Sequence, residues 1–490
     1  MQNYQMLIDG QWVDSCSTAT LESINPYTGQ VWAKIPRAQI EDADAAVRAA
    51  HQALKRGPWG RLTAGARSMH LRKLGDLITS NAETLARTEV QDNGKLYAEM
   101  RAQVNAVAQM AYFFAGLADK IEGSVPPPDR AGMLTYTRRE PVGVVVCIVP
   151  WNSPLALLAS KAFPALAAGC TLVVKPSEHA SASSLEFGRL LELAGFPPGV
   201  VNIVTGLGAE IGEALVSHPL VAKIAFTGGE SSGQRVNELA ARDFKGVTME
   251  LGGKSPNIVF DDASLEDAVN GAVAGIFGAA GQTCIAGSRL LVQANIHDEL
   301  VARLIAVAKV ARMGDPNLAE TQIGPIATKP QYQKILEYIQ IAKDEGANCV
   351  LGGRASKELG GLFIEPTIFT GINNDMRIAR EEVFGPVLSI IKFRDEAEAL
   401  SIANDTVYGL AAGVWTQNMG RAFRVVNALE AGTVWVNTYR ALGVHMPFGG
   451  VKRSGLGREN GIEAIEGYLH TKSVWLNYDA PTANPFVMRI

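Results

Sequence analysis

Residues 142–176 read VGVVVCIVPWNSPLALLASKAFPALAAGCTLVVKP. Valine-rich apolar runs at 142–149 and 171–174 flank a longer stretch of alanine and leucine. Short, continuous apolar runs are typical of strands buried on both faces, and the stretch between them predicts a buried helix. Lys161 and Pro164 interrupt this stretch, so we do not interpret it as a membrane span. The segment predicts a strand–helix–strand unit with parallel strands.

The same alternation continues along the chain. Helix-like segments at 182–194 and 210–217 separate further apolar runs at 200–204 and 221–226. After Gly252-Gly253 a second series begins, with a helix at 266–277 and strands at 257–260, 288–292, 388–391, 412–415 and 433–436. Buried strands that alternate with helices form parallel sheets, so the sequence predicts two α/β units.

Two other regions differ from these series. Apolar residues recur at helical spacing over 40–55, 67–80 and 83–117, so we expect the first hundred-odd residues to be mostly helical. Three prolines at 126–128 precede a half-exposed strand that begins at Leu134, and residues 468–477 return to strand character. The strand at Leu134 predicts an edge strand or a hairpin arm.

The composition excludes some classes of protein. With 490 residues, 47% hydrophobic and 19% charged, the chain is long enough for two or three domains. Its 45 basic and 49 acidic residues give a net charge of −4, too weak and too evenly spread to hold a nucleic acid or an anionic membrane. The first residues lack a secretory pattern, so a cytoplasmic protein is expected. Five scattered cysteines without a C-x-x-C pair or a Cys/His cluster indicate reduced thiols and no metal site.

Two residues are candidates for catalysis. Cys284 lies in Gly281-Gln-Thr-Cys-Ile-Ala-Gly287, a loop of small residues that leaves a thiol approachable and lets backbone N–H groups face an oxyanion. A cysteine in such surroundings is also a common buried filler. Glu250 stands at an apolar strand end, where burial would raise the pKa of its carboxyl group and make it a usable general base. An ordinary ion pair is the alternative for Glu250.

Other candidates for ligand binding also follow predicted strands. Gly206, Gly208 and Gly212 have the spacing Gly-x-Gly-x-x-x-Gly, one residue longer than the dinucleotide fingerprint. Phe226-Thr-Gly-Gly229 opens a helix and offers free N–H groups to a pyrophosphate, although a plain turn is equally compatible.

Lys175, three residues before Glu178, could bind ribose hydroxyls together with that glutamate. The alternative for this pair is a solvated salt bridge. Asn152 lies between two prolines, which suits an amide donor aimed at an oxyanion, but it could also be only a turn residue.

Taken in order, seven segments resemble the aldehyde dehydrogenase superfamily, whose members are NAD(P)-dependent and, in the non-acylating branch, release a free acid. They are Pro150-Trp-Asn-Ser-Pro154, Lys175-Pro-Ser-Glu178, Phe226-Thr-Gly228, Glu250-Leu-Gly-Gly-Lys254, Gly281-Gln-Thr-Cys284, Glu381-Glu-Val-Phe-Gly-Pro386 and Pro447-Phe-Gly-Gly-Val-Lys-Arg-Ser-Gly455. The resemblance covers nearly the whole chain, and the 34 positions from Glu250 to Cys284 match the family's spacing.

The resemblance implies the roles of four residues. Cys284 would attack the aldehyde carbon as a thiolate, and the side chain of Asn152 with the Cys284 backbone N–H would hold the oxyanion. After hydride transfer to the nicotinamide, Glu250 would activate the water that hydrolyses the thioester. Lys161 occupies a position linked in the family with proton relay to this glutamate, although a core-facing stem is the alternative.

The resemblance also implies a cofactor site for NAD, with NADP possible. Glu178 favours NAD, because its charge would repel a 2′-phosphate. Gly229 replaces a serine that is frequent in the family, so one hydrogen bond to the pyrophosphate is missing. The implied cofactor residues are Trp151, Lys175, Glu178, Gly208, Gly212, Phe226, Gly228, Gly229, Leu251, Glu382 and Phe384.

The expected substrate is a bulky or polar aldehyde or a semialdehyde. Ser153 and Ser160 stand where many relatives carry bulky aromatic residues, which predicts a wider and more polar entrance. The guanidinium group of Arg440 could pair with a substrate carboxylate, or it could form an ion pair between subunits. The expected pocket residues are Ser153, Ser160, Thr283, Ile285, Tyr439, Arg440 and Phe448.

The predicted fold is α/β, with a doubly wound Rossmann-like cofactor domain, an α/β catalytic domain and a small β extension. We expect the cofactor domain at 1–121 and 143–252, the catalytic domain at 253–453, and the extension at 122–142 and 466–490. The exposed strands of the extension should pair with another subunit, in a homodimer or homotetramer. Two alternative functions are CoA-acylating chemistry, whose enzymes usually lack the base at Glu250, and a catalytically silent structural protein on this fold.

Overall fold

The computed structural model describes residues 1–479 and, beyond them, Thr482, Asn484 and Phe486. The last part of the predicted extension, 480–490, thus lies mostly outside the described residues. Twenty strands occur in the described residues: β1 (Gln2–Asn3), β2 (Met6–Ile8), β3 (Gln11–Val13), β4 (Thr20–Ile24), β5 (Val31–Pro36), β6 (Met133–Pro141), β7 (Val144–Val149), β8 (Thr171–Pro176), β9 (Val201–Ile203), β10 (Val221–Thr227), β11 (Gly246–Glu250), β12 (Pro256–Val259), β13 (Arg289–Gln293), β14 (Asn348–Leu351), β15 (Thr367–Thr370), β16 (Val387–Phe393), β17 (Ala411–Trp415), β18 (Thr433–Val436), β19 (Gly455–Leu456) and β20 (Leu469–Asn477).

Fifteen α-helices occur in the same part of the chain: α1 (Ile40–Lys55), α2 (Ala64–Ser80), α3 (Ala82–Asn93), α4 (Tyr97–Leu117), α5 (Pro154–Ala168), α6 (Ala182–Leu193), α7 (Gly208–Ser217), α8 (Glu230–Ala241), α9 (Leu265–Phe277), α10 (His297–Lys309), α11 (Lys329–Asp344), α12 (Arg377–Arg380), α13 (Glu396–Asn404), α14 (Met419–Ala428) and α15 (Glu463–Glu466). No helix of the described residues is both long and apolar enough to cross a membrane.

An eight-stranded sheet contains five parallel strands in the order β9-β8-β7-β10-β11. The first of these strands in the chain, β7, lies in the middle, and the chain winds outward to β9 on one side and then to β11 on the other. This is the doubly wound arrangement, in which ligands bind at the carboxyl ends of the two strands that flank the reversal. Those strands are β7 and β10. Helix α5, which follows β7, is buried over most of its surface, and this burial explains its apolar sequence.

A seven-stranded sheet has the order β14-β15-β16-β13-β12-β17-β18 and is parallel except for β14. Only five residues separate β11 of the first sheet from β12 of the second. Late in the chain, β19 returns to the first sheet and pairs antiparallel with β11, at Met249 and Glu250. Both sheets therefore meet around the end of β11.

A separate two-stranded sheet is formed by β6 and β20, which pair over nine residues each. Large apolar side chains on it are exposed, including Trp475 at 63% and Leu476 at 47%. A third small sheet, β1-β5-β4, lies near the N-terminus.

The α/β class is as predicted, most strands of the two parallel sheets match predicted strands, and α1 begins and ends at the predicted residues. Strands β14 and β15 were not predicted. The N-terminal prediction was incomplete, because residues 2–36 form β1–β5 and helices begin only at Ile40. These strands have two to six residues, too few for a clear alternation of apolar and polar side chains. A signal for one hairpin was present: Asp9 and Gly10, between β2 and β3, both have left-handed backbone, as the Asp-Gly turn requires.

Candidate active site

The loop that carries Cys284 follows α9 and contacts α4. Residues Gly278–Gly281 form a short 3-10 turn in which Ala279 and Ala280 have φ values of 56° and 50°. This left-handed conformation is costly for residues with a Cβ atom. Glu99 on α4 accepts a hydrogen bond from the Ala279 backbone N–H at 2.9 Å. Contact with α4 thus supports a strained backbone just before Cys284.

The Cys284 thiol is half-buried in this loop. Burial, followed by the charges of Glu250 and Glu382, raises the pKa of the thiol to about 12. The thiol is therefore protonated in the resting protein and must give its proton to a base before it can attack. Asn152, which follows the end of β7, donates its side-chain N–H to the Gln282 carbonyl at 3.1 Å. An amide donor thus lies against the thiol loop, as oxyanion stabilisation requires.

Glu250 is the last residue of β11 and is 3% exposed. Neither of its carboxyl oxygens has a hydrogen-bond partner among the described residues. Burial, and then the charge of Glu459, raise the pKa of this carboxyl group well above its ordinary value, while Lys161 and Arg458 act in the opposite direction. A buried, unpartnered carboxyl group with a raised pKa has the properties of a general base.

Beside Glu250 lies a buried network centred on Glu459. Lys161, which is fully buried on α5, donates to Glu459 Oε1 and to Thr227 Oγ1, each at 2.5 Å. The hydroxyl group of Ser160 donates to Glu459 Oε2 at 2.5 Å. Both oxygens of Glu459 are thus hydrogen-bonded by neighbouring residues of α5. The structure places the Ser160 hydroxyl in this network.

A turn without side chains follows β10 at the sheet's reversal point. A Cβ atom on Gly229, which caps α8, would meet nothing within 4 Å, whereas one on Gly228 would lie 2.6 Å from the ring of Phe226. The Gly228 N–H donates to the Glu250 carbonyl at 3.1 Å. Leu251 packs against Gly233 in the first turn of α8. The open space at the N-terminus of α8 suits an anionic group such as a pyrophosphate.

Lys175 and Glu178 lie together at the end of β8, as predicted. The Lys175 ammonium group is 3.2 Å from Glu178 Oε2, and it lies 3.8 Å from the point that a Cβ on Gly208 would occupy. Gly208 begins α7, and a Cβ on Gly212 in its next turn would meet nothing within 4 Å. The pair therefore borders another unobstructed helix N-terminus at the same edge of the sheet.

Two residues that lie between β15 and β16 of the seven-stranded sheet contact the segments that follow β11 and β7. Glu382 accepts a hydrogen bond from the Gly253 N–H at 2.9 Å. The ring of Phe384 meets that of Trp151 edge to face, with centroids 5.5 Å apart. Two predicted cofactor residues from distant segments thus contact each other.

Five of the predicted pocket residues lie on or near the thiol loop, whereas Ser160 and Phe448 contact Glu459. Tyr439 is buried and donates its hydroxyl group to the Ile285 carbonyl at 3.2 Å, and the Arg440 guanidinium group donates to the Ala274 carbonyl at 3.1 Å. Ser153 accepts a hydrogen bond from Lys95 at 2.9 Å. Thr283 is half-buried beside Cys284, and Phe448 pairs through its backbone with Glu459.

Sequence reasoning missed Glu459, Lys95 and Glu99. Glu459 follows the Pro447–Gly455 motif by four residues, and this nearness was the one sequence signal for a role at the site. No spacing links it to Lys161. Lys95 follows Asn93-Gly94, which the sequence indicated only as a break between helices. The sequence around Lys95 gave no signal of its burial.

Comparison with known proteins agrees with the resemblance seen in the sequence motifs. The sequence model of the aldehyde dehydrogenase family matches residues 12–474. The chain is 46% identical, over the full length of both proteins, to (Z)-2-((N-methylformamido)methylene)-5-hydroxybutyrolactone dehydrogenase of Acinetobacter baylyi. It is 43% identical to a chloroplastic betaine aldehyde dehydrogenase of Beta vulgaris, covering 96% of this chain and 95% of that protein.

Solved structures agree with these sequence matches. The crystal structure of betaine aldehyde dehydrogenase from Staphylococcus aureus in complex with NAD+ has a TM-score of 0.97 and 40% identity, and the match covers 99% of this chain and 97% of that one. An NAD-dependent aldehyde dehydrogenase from Sinorhizobium meliloti gives the same four values.

Proposed function

Because the chain belongs to the aldehyde dehydrogenase family, we propose that it oxidises an aldehyde to the carboxylic acid with NAD and that Cys284 is the nucleophile. The observation that carries this proposal is the convergence of a half-buried thiol, an amide donor and a buried, unpartnered carboxyl group at the facing ends of two sheets. Each group supplies one property that the reaction needs.

Attack on the aldehyde requires loss of the thiol proton. Cys284 then bonds to the carbonyl carbon, and the carbonyl oxygen becomes an oxyanion. The Asn152 side chain and the Cys284 backbone N–H stabilise this oxyanion. Asn152 follows β7, and its hydrogen bond to Gln282 holds it against the loop that carries Cys284. Burial, and then the charges of Glu250 and Glu382, raise the pKa of the thiol, so approach of positive charge or neutralisation of these carboxylates favours the thiolate.

Release of the acid requires water and a base. Glu250 takes a proton from water, which attacks the thioester carbon and expels the Cys284 thiolate. Burial is the main cause of the raised pKa of this base, and the charges of Glu459 and Lys161, which are bonded to each other, are the next largest influences on it. The proton taken up by Glu250 therefore stays close to a buried chain of polar groups.

The residues at the carboxyl ends of β7, β8 and β10, together with Glu382 and Phe384, fit NAD. When bound, NAD supplies the acceptor for the hydride that leaves the carbonyl carbon. The turn at Gly228 and Gly229 would hold the pyrophosphate, Lys175 and Glu178 the adenosine ribose, and Glu382 with Phe384 the nicotinamide side. The free space above Gly229 supports this assignment, because a side chain there would occupy it. Trp151, Gly208, Gly212, Phe226 and Leu251 complete the proposed site.

The substrate is proposed to be a polar aldehyde or a semialdehyde. The Acinetobacter baylyi relative is named for a 5-hydroxybutyrolactone, which is the ring-closed form of a 4-oxo acid. Ser153, Arg440 and Lys95 give the side of the thiol loop opposite the cofactor cleft a polar character. This polarity suits such a substrate better than a plain alkyl aldehyde. Ser160, Thr283, Ile285, Tyr439 and Phe448 are the other proposed pocket residues.

The decisive experiment replaces the nucleophile. Cys284→Ser should lower NADH formation from aldehydes by more than about a thousandfold, because the residue forms the covalent intermediate. Cys349→Ser is the matched control, since Cys349 is also half-buried but lies on β14. Equal activity of Cys284→Ser and Cys349→Ser would refute the proposal. An acylating enzyme would instead need coenzyme A for product release, so hydrolysis at full rate without coenzyme A separates the two chemistries.

We propose that the protein is a homo-oligomer. Each subunit consists of a cofactor domain, a catalytic domain and a β extension, with the boundaries given above. Support comes from the exposed apolar side chains of β20 and from β18, which has neighbours on one side only. A strand from a second copy would cover both surfaces. Trp475→Glu should lower the molecular mass in solution, measured by light scattering, whereas Phe244→Glu, at a loop position 97% exposed, should not. An unchanged mass in Trp475→Glu would contradict the assignment of this interface.

A further inference from the structure

We propose that Lys95, together with Arg440, binds a carboxylate on the substrate and so selects short oxo acids over neutral aldehydes. This inference rests on the proposed function and assigns a specificity-determining residue to it. Three observations carry it: the incomplete hydrogen bonding of a buried ammonium group, the position of its one partner beside the thiol loop, and a second cation nearby.

The Lys95 side chain is buried, with 4% exposure. An ammonium group has three N–H donors, but the only acceptor for Lys95 Nζ among the described residues is Ser153 Oγ, at 2.9 Å. Buried polar groups are almost always fully paired, so an under-used buried cation is unusual. A carboxylate would satisfy its two remaining donors.

The partner of Lys95 determines where such a carboxylate would lie. Ser153 is adjacent to Asn152, whose side chain contacts the thiol loop. The Lys95 charge also acts on the Cys284 thiol and lowers its pKa, although burial outweighs this effect. Ser153 is half-buried and has a small side chain, so only a hydroxyl group stands between the ammonium group and the neighbouring Asn152.

A second cation, Arg440, lies on the same side of the loop. Its guanidinium group donates to the Ala274 carbonyl, and its Nη1 atom lies only 2.1 Å from where a Cβ on Gly278 would be, so it packs on the backbone that leads to Cys284. Arg440 and Lys95 are close enough for their charges to interact. Two cations held close together favour binding of an anion between them.

Helix α4 contributes the remaining polar groups. Glu99 and Gln103 are four residues apart and share a helix face, and the Oε2 atom of Glu99 and the Oε1 atom of Gln103 are buried without partners among the described residues. Glu89 also acts on Lys95, and burial raises the pKa of its carboxyl group. With Lys95, Arg440 and Glu99 ionised and Glu89 protonated, the local formal charge is +1. One substrate carboxylate would neutralise this charge.

The test compares 4-oxobutanoate with butanal, which has the same number of carbon atoms and no carboxylate. We expect wild type to prefer 4-oxobutanoate in kcat/KM. Lys95→Met should reduce the ratio of the two kcat/KM values by about tenfold to hundredfold, as loss of a charged hydrogen bond predicts. Lys95→Arg should retain more of the ratio. Lys309→Met, on the exposed face of α10, is the control and should leave the ratio unchanged.

A second variant keeps the test independent of the folding of Lys95→Met. Ser153→Phe leaves the lysine in place but sets a bulky ring next to its ammonium group, and it should also lower the ratio. The proposal would be overturned by a wild type without preference, by equal losses on both substrates in Lys95→Met, or by an undiminished ratio in Ser153→Phe. Failure to oxidise either aldehyde would instead count against the proposed function.

The pH dependence of the same ratio gives a further readout. Burial, assisted by the Arg440 charge, lowers the pKa of Lys95 to about 8, while Glu99, Glu89 and Cys284 oppose this shift. The ammonium charge is therefore lost as the pH rises through 8, and the preference for 4-oxobutanoate should fall with it. Ionisations that both substrates need cancel in the ratio. A ratio constant from pH 7 to pH 9.5 would contradict the role of Lys95.

Discussion

Replacing Glu250 with glutamine should remove the base and stabilise the fold at the same time. The carboxyl group is 3% exposed and has no hydrogen-bond partner among the described residues, and its pKa is raised well above the ordinary value of 4.5. Ionising it in the folded protein is thus unfavourable. An unpaired buried charge costs at least about 1–3 kcal/mol, and glutamine cannot ionise, so at a pH where the unfolded wild type is ionised Glu250→Gln should raise Tm by roughly 1–3 °C.

The sign of the pH dependence follows from the raised pKa. Between the unfolded and the folded pKa of Glu250 the folded state holds a proton that the unfolded state has lost, so the stability of wild type falls as the pH rises through this window. The glutamine variant lacks this loss. The difference in Tm between variant and wild type should therefore be small near pH 5 and larger near pH 9.

The kinetic effect is expected at deacylation. Without the base, turnover should slow by about 10²–10⁴-fold, while the first turnover still yields about one NADH per subunit. The assay is stopped-flow NADH absorbance followed by intact-mass detection of the acyl-enzyme. An unchanged steady-state rate, or a Tm lower than that of wild type at pH 9, would refute the reasoning.

Two further substitutions test the surroundings of the site. Ala279→Gly should raise the free energy of unfolding, measured by denaturant titration, by about 0.5–1 kcal/mol. The reason is that the left-handed backbone costs alanine more than the added flexibility costs glycine. The control Ala106→Gly, within α4, should lower the free energy of unfolding by a similar amount. Ser160→Ala should destabilise the protein by about 1.5–3 kcal/mol, because the buried carboxylate of Glu459 loses a hydrogen bond. It should also shift the pH profile of acyl-enzyme hydrolysis, because the charge of Glu459 acts on Glu250. A variant with wild-type stability and an unchanged pH profile would show that this contact is unimportant.

The sequence predicted the parts of the protein that depend on local patterns. Apolar runs of four to eight residues indicated most strands of both parallel sheets, and ordered motifs indicated Cys284, Glu250 and Asn152. The turn after β10 was also visible, because glycine and a following helix have a local signature.

Contacts between distant segments could not be predicted in the same way. Lys161 and Glu459 are 298 positions apart, and no period or composition connects them. Lys95 and Ser153 are brought together only by the packing of α4 on α5, and a buried lysine looks like an exposed one in sequence. The short N-terminal strands were missed because their stability comes from pairing with β9 and with each other.

The segment between β18 and β19 begins on the seven-stranded sheet and ends on the eight-stranded one, where β19 pairs with β11 next to Glu250. Its two ends are thus fixed by backbone pairing, while its middle carries the exposed side chains of Leu442 and Met446. Side chains in the middle can be exchanged without displacing the base or the thiol. A protein with this architecture could therefore come to accept new aldehyde substrates through a few substitutions in one loop while its reaction stays the same. Substrate range and chemistry can thus evolve separately.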